Sequence, residues 1–185
     1  MRRLLTALFA LMLMLGSSAS IAMAQDDATP ADGGEDVAAP AGETSFAKGL
    51  DAEATYFSER GDPVATLKVV DVERGWQDYG EYYEPDPGVE YVAVTFEVSV
   101  VSRGNLVVEP YDFSLIDGIG RNNSTSYADA SEDSGVELLE DDAAVASGET
   151  AEFTVIFEVY EETPLGYFMW QPDSGIIIMI DLTEV

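Results

Sequence analysis

From residue 46 onward the sequence predicts an all-β protein, an antiparallel β-sandwich of seven to eight short strands. Three observations carry this expectation. Apolar residues recur at every second position rather than at the 3.6-residue spacing of a helix. Clusters of Gly, Pro, Asn and Asp punctuate the chain between these runs. Beyond residue 24, no 11-residue window reads as an amphipathic helix.

The elements follow in order. Arg2 and Arg3 precede an uncharged apolar stretch from Leu4 to Leu15, then small residues and the triplet Ala22-Met23-Ala24. This pattern predicts a signal peptide over residues 1–24, cut between Ala24 and Gln25. The apolar run is shorter than the roughly 20 residues a membrane span needs, and no cysteine stands at the cut to carry a lipid. The expected location is extracytoplasmic, either extracellular or in the cell envelope, with no membrane attachment after cleavage. Residues 25–45 carry six acids, three glycines, Pro30 and Pro40, and only Val37 as a branched aliphatic side chain. Such a stretch buries too little apolar surface to offset its ordering entropy, so a disordered acidic linker is expected. Residues 46–185 form the sandwich domain, a normal size for one core.

Within that domain, Tyr91–Val100 shows the alternation most clearly. Val92, Val94, Phe96, Val98 and Val100 share one face, and Tyr91, Ala93, Thr95, Glu97 and Ser99 share the other. Thr150–Tyr160 sets Phe153, Val155, Phe157 and Val159 against Thr154, Ile156 and Glu158. Near the C-terminus Ile176, Ile178, Ile180 and Leu182 alternate with Ile177, Met179 and Asp181. In Val64–Val72 the apolar phase slips from Leu67 and Val69 to Val70 and Val72, which predicts a β-bulge. Shorter strands are expected at Ala54–Phe57, Leu106–Val108, Phe113–Asp117 and Tyr167–Trp170, with Met169 and Trp170 as core residues. Two inward faces then cover each other as paired sheets.

Composition narrows the function. The chain has 8 basic residues, 36 acids and a formal charge of −28, and loss of Arg2 and Arg3 with the leader takes the charge to −30. That field repels nucleic acid and anionic lipid, and favours cations and basic partners. Lys48 and Lys68 are the two lysines, a bias that also suits a salty habitat. Cysteine and histidine are absent. Disulfides, thiol nucleophiles, Ser-His triads and His-based metal sites are thereby excluded. Paired carboxylates of a glycosidase type carry no signal, because 36 acids produce such pairs by chance.

Three stretches together have a familiar order. Val89-Glu90-Tyr91-Val92-Ala93-Val94-Thr95-Phe96-Glu97-Val98 leads to Tyr111-Asp112-Phe113-Ser114-Leu115-Ile116-Asp117-Gly118-Ile119-Gly120-Arg121. Ala146-Ser147-Gly148-Glu149-Thr150-Ala151-Glu152-Phe153-Thr154-Val155-Ile156-Phe157-Glu158-Val159 follows. Across most of residues 60–182 the chain resembles a bacterial family of exported domains of unknown function. These share the telokin-like, immunoglobulin-like sandwich of the mycobacterial secreted immunogenic antigen. Ser147 and Tyr160 stand where that family often has proline, and the loop from Ala128 to Ala146 is long and acidic. The resemblance implies a fold and an exported location, and no reaction.

Two stretches are candidate sites. Gly75–Pro85 carries Trp76, Tyr79, Tyr82 and Tyr83 among carboxylates and an amide, a composition suited to stacking on sugars or to a protein contact. The plainer alternative is that Trp76 and one or two tyrosines cap the open end of the sandwich. Residues 128–142 carry Asp129, Glu132, Asp133, Glu137, Glu140, Asp141 and Asp142, enough oxygens for weak calcium binding. Their spacing is not that of an EF-hand, and the alternative is a solvated negative loop. Gly118-Ile119-Gly120 reads as a hairpin turn, and Asn122-Asn123-Ser124-Thr125 holds two overlapping glycosylation patterns. The expectation is a non-enzymatic module without a cofactor that binds a protein or glycan, with carbohydrate or calcium binding as the alternative.

Overall fold

A computed structural model describes residues 44–173 and 176–185. The signal peptide and nearly all of the acidic linker expected from the sequence lie outside the described residues. The described residues form eleven strands: β1 (Ser45–Lys48), β2 (Glu53–Phe57), β3 (Pro63–Arg74), β4 (Val89–Val100), β5 (Leu106–Val108), β6 (Phe113–Asp117), β7 (Asn122–Ser124), β8 (Ala143–Val145), β9 (Thr150–Tyr160), β10 (Leu165–Asp173) and β11 (Ile176–Asp181). They form a five-stranded sheet ordered β1-β11-β10-β6-β7, a four-stranded sheet ordered β2-β3-β4-β9, and the short pair β5-β8.

All eight expected strands are there. The three additional ones, β1, β7 and β8, are three or four residues long, too short to display a period. Every ladder between strands is antiparallel except β1 with β11, where Ser45 lies opposite Ile178 and Lys48 opposite Asp181. β1 begins at Ser45, so the sandwich takes in the last residue assigned to the linker.

The inner faces meet as the alternation requires. Leu67, Val69, Val92, Val94, Phe96, Val98, Val155 and Phe157 from one sheet pack on Phe113, Leu115, Phe168, Trp170, Ile178 and Ile180 from the other. Aromatic rings fill the centre: Phe96 lies 4.5 Å from Phe113 and 5.3 Å from Phe168, and Phe113 stacks on Trp170 at 5.8 Å. Met169, expected in the core beside Trp170, is half-buried and absent from the core cluster, because Phe168 and Trp170 take the inward positions on either side of it.

The bulge in β3 falls where the apolar phase slips: Val69 pairs with Phe96 and Asp71 with Thr95, leaving Val70 as the extra residue. A second bulge between Leu165 and Tyr167 brings Gly166 against β6. A Cβ there would lie 2.6 Å from the Ile116 carbonyl oxygen, so glycine is required for close backbone approach. The Gly118-Ile119-Gly120 stretch is the expected turn. The Asp117 carboxylate accepts from the backbone N–H groups of Ile119 (3.1 Å) and Arg121 (2.8 Å).

Candidate functional site

The outer face of the four-stranded sheet departs from a simple polar exterior. At one end of β4 and β9 its outward residues are polar: the hydroxyl pairs Thr95–Thr154 (2.9 Å) and Ser99–Thr150 (2.7 Å), with Glu97 opposite Glu152 between them. At the other end Tyr91, Ala93 and Ile156 also point outward, and all three are buried. Two loops cover them.

The first is the aromatic loop. Gly75 turns the chain with φ of 63°, and the Trp76 N–H donates to the Tyr91 carbonyl at 3.1 Å, laying the indole over β4. Trp76 packs 6.3 Å from Tyr91 and 6.2 Å from Tyr79, and only 2% of it is exposed. Trp76 is thus a packed cap, as the plainer alternative had it, but it covers the outer face of the sheet rather than the open end of the sandwich. Outward-facing Tyr91, Ala93 and Ile156 need an apolar lid, and the indole supplies it. Tyr79 joins the same cluster, 5.4 Å from Tyr91. Tyr82 points away, 88% exposed, and Tyr83 is half-buried.

The second loop is the acidic one, and it runs back to the first. Gly80 N–H donates to the Asp129 carbonyl (3.0 Å), Ser131 N–H to the Asp78 carbonyl (2.6 Å), and the Tyr83 hydroxyl to Asp129 Oδ2 (2.6 Å). The two candidate stretches thus form one structure. Two limbs of the acidic loop reach the free side of β9: Ser126 N–H donates to the Ile156 carbonyl (2.7 Å) and Leu139 N–H to the Thr154 carbonyl (2.9 Å). Leu138 packs in the outer cluster while its neighbour Leu139 enters the inner core, which pins that limb from both sides.

Between the limbs lies a cavity of about 320 Å³. Leu138 and Ile156 contribute its apolar lining, Tyr83, Tyr111 and Tyr127 its aromatic lining, and Asp129 and Glu140 its carboxylates. Tyr111 belongs to a 3-10 turn at Pro110–Asp112, and its ring lies 6.1 Å from that of Tyr127. These two rings are 65% and 75% exposed. The hydrogen bond with Tyr127 pushes the Tyr111 phenol pKa upward, with the negative field of Asp141 and Asp142 adding to it. The bond to Asp129, then burial and the charges of Asp129 and Glu140, do the same for Tyr83. Both phenols are neutral at ordinary pH. Burial, Glu109 and Asp142 raise the Asp112 carboxyl to about 6.

Tyr111 and Tyr127 were outside the expected site. The available signal was local: each is an aromatic residue next to an acid or hydroxyl in a segment without apolar periodicity, Glu109-Pro110-Tyr111-Asp112 and Ser124-Thr125-Ser126-Tyr127. Among the described residues, no three acidic side chains converge where they could hold a metal ion.

No protein-family model and no curated protein sequence matches the chain. Solved structures do. A secreted protein of Mycobacterium tuberculosis, MPT63, is similar at a TM-score of 0.53 and 20% identity, covering 72% of this chain and 95% of that one. The fold is the MPT63 β-sandwich. The yjhA protein of Bacillus subtilis is similar at a TM-score of 0.54 and 12% identity, covering 74% of this chain and 98% of its own. A putative lipoprotein of B. subtilis, ycdA, matches at a TM-score of 0.51 and 18% identity over 71% of this chain and 39% of its own. Like these proteins, the chain is a β-sandwich, and identities this low speak for the fold alone.

Proposed function

We propose that this protein is an extracytoplasmic, non-enzymatic binding module whose recognition surface is the tyrosine-lined cavity between the two limbs of the acidic loop. One observation carries the reading: Tyr111 and Tyr127 stand 65% and 75% exposed beside a preformed hollow. Large aromatic side chains left in water at a concave site are the usual anchors of protein and ligand contacts. The extracytoplasmic location is supported by the leader-like residues 1–24 and by the secreted MPT63. Among the described residues no helix is long and apolar enough to cross a membrane.

The test is capture from envelope and culture fractions on the immobilised protein, beside the double variant Tyr111→Ala/Tyr127→Ala. The parent is expected to retain a ligand that the variant loses at unchanged melting temperature. Equal retention by both refutes the reading. Carbohydrate stacking is the second reading, favoured by the exposure of Tyr82. Tyr82→Ala should then abolish retention on polysaccharide, and no retention by the parent dismisses it.

A further inference from the structure

We propose that the cavity binds an alkylammonium group, an aliphatic chain of a few carbons ending in a primary amine, as in a free amine or a lysine side chain. The inference rests on the reading of the hollow as a recognition site and names its ligand class. Size comes first. At about 320 Å³ the space is at the small end of ligand pockets, fit for a short chain rather than a folded oligosaccharide. Leu138 and Ile156 match methylene groups, which gain by leaving water.

Around that apolar lining the chemistry changes to rings and carboxylates. Tyr83, Tyr111 and Tyr127 line the space with aromatic rings, and the face of such a ring attracts ammonium through its quadrupole. The same contact already exists elsewhere in the molecule, where the Arg121 guanidinium sits 4.2 Å from the centre of the Tyr160 ring. Asp129 and Glu140 supply negative charge. Asp129 is engaged by the Tyr83 hydroxyl, which leaves Glu140 as the counter-charge for a ligand.

No basic side chain of the described residues lines the cavity. Lys68 pairs with Glu97 at 2.7 Å, Lys48 with Glu184 at 2.8 Å and Arg74 with Glu90, all away from it. With a chain charge of −28, an anion is repelled and a neutral ligand leaves the carboxylates uncompensated. The neutral phenols add no competing charge.

The experiment follows backbone amide NMR shifts of the folded protein during titration with n-butylammonium, with Nα-acetyl-lysine methylamide and with the neutral isostere n-butanol. Saturable shifts at Ser126, Ala128 and Leu139 are expected with at least one amine, with affinity about tenfold or more above that for n-butanol. Glu140→Gln should weaken the amine about three- to tenfold and leave n-butanol unchanged, and added salt should weaken it likewise. Tighter binding of the lysine derivative points to a peptide side chain, and tighter binding of butylammonium to a free amine. Equal binding of amine and alcohol overturns the inference, as does silence of both amines up to about 10 mM. If those results coexist with tyrosine-dependent capture from envelope fractions, the ligand class fails while the binding module stands.

Discussion

The described residues form two apolar cores, and they are built differently. The inner core between the sheets comes from strands, each giving every second residue: Phe96, Phe113, Phe157, Phe168 and Trp170 meet there, far apart in sequence. The outer cluster on the back of β4 and β9 joins three strand residues, Tyr91, Ala93 and Ile156, to a lid from two loops carrying Trp76, Tyr79, Tyr83, Ala128, Ala130 and Leu138. The inner core makes the fold, whereas the outer one fixes the loops that form the candidate site. The largest share of stability therefore lies with the inner core, while site geometry depends on the outer cluster together with Leu139.

Substitutions can separate the two. The largest effect is expected at the centre of the inner core. Phe96→Ala leaves a cavity beside Phe113, Phe153 and Phe168 and should cost about 3–5 kcal/mol in urea denaturation. That is a large share of the roughly 5–15 kcal/mol typical of a domain. Trp76→Ala should cost less, about 3 kcal/mol, because the loop lid can settle into part of the gap. Its distinguishing sign is faster hydrogen exchange at Ser126 and Leu139 with strand amides still protected. Uniform loss of protection would mean that the two cores unfold as one.

Smaller changes sharpen the contrast. Tyr83→Phe removes one solvent-exposed hydrogen bond to Asp129 and should lower the unfolding midpoint only slightly, without altering the strands. Asp112 gives a pH signature. Its carboxyl rises from 3.8 to about 6 on folding, so the native state holds the proton more tightly than the unfolded chain. Its contribution to stability is full below 3.8 and is lost as pH rises through about 6. Asp112→Asn should flatten that part of the stability–pH curve and raise the melting temperature at neutral pH relative to the parent.

Most of the inner core was legible because Val92 to Val100 and Ile176 to Leu182 obey a period that has one physical meaning. The bulge at Val70 was legible for the same reason, as a break in phase. The outer cluster was not, since apolar Tyr91, Ala93 and Ile156 on an outward face reveal a missing lid without saying which loop supplies it. Trp76 was legible in part: a capping indole was one of two readings, and composition alone does not say which face it covers. Tyr111 and Tyr127 are brought together by a 3-10 turn and a loop return, which leave no periodic trace.

The pairing of the acidic loop with β9 has a consequence for how two copies of this chain meet. β9 is the outermost strand of its sheet, and unpaired peptide groups along an outermost strand invite a second molecule to add its own strand. Here Ser126 and Leu139 occupy the carbonyls of Ile156 and Thr154, and the segment that does so bristles with carboxylates. A neighbouring copy meets hydrogen-bonding groups already taken behind a repulsive fringe, so the loop acts as a built-in guard against sheet-to-sheet polymerisation.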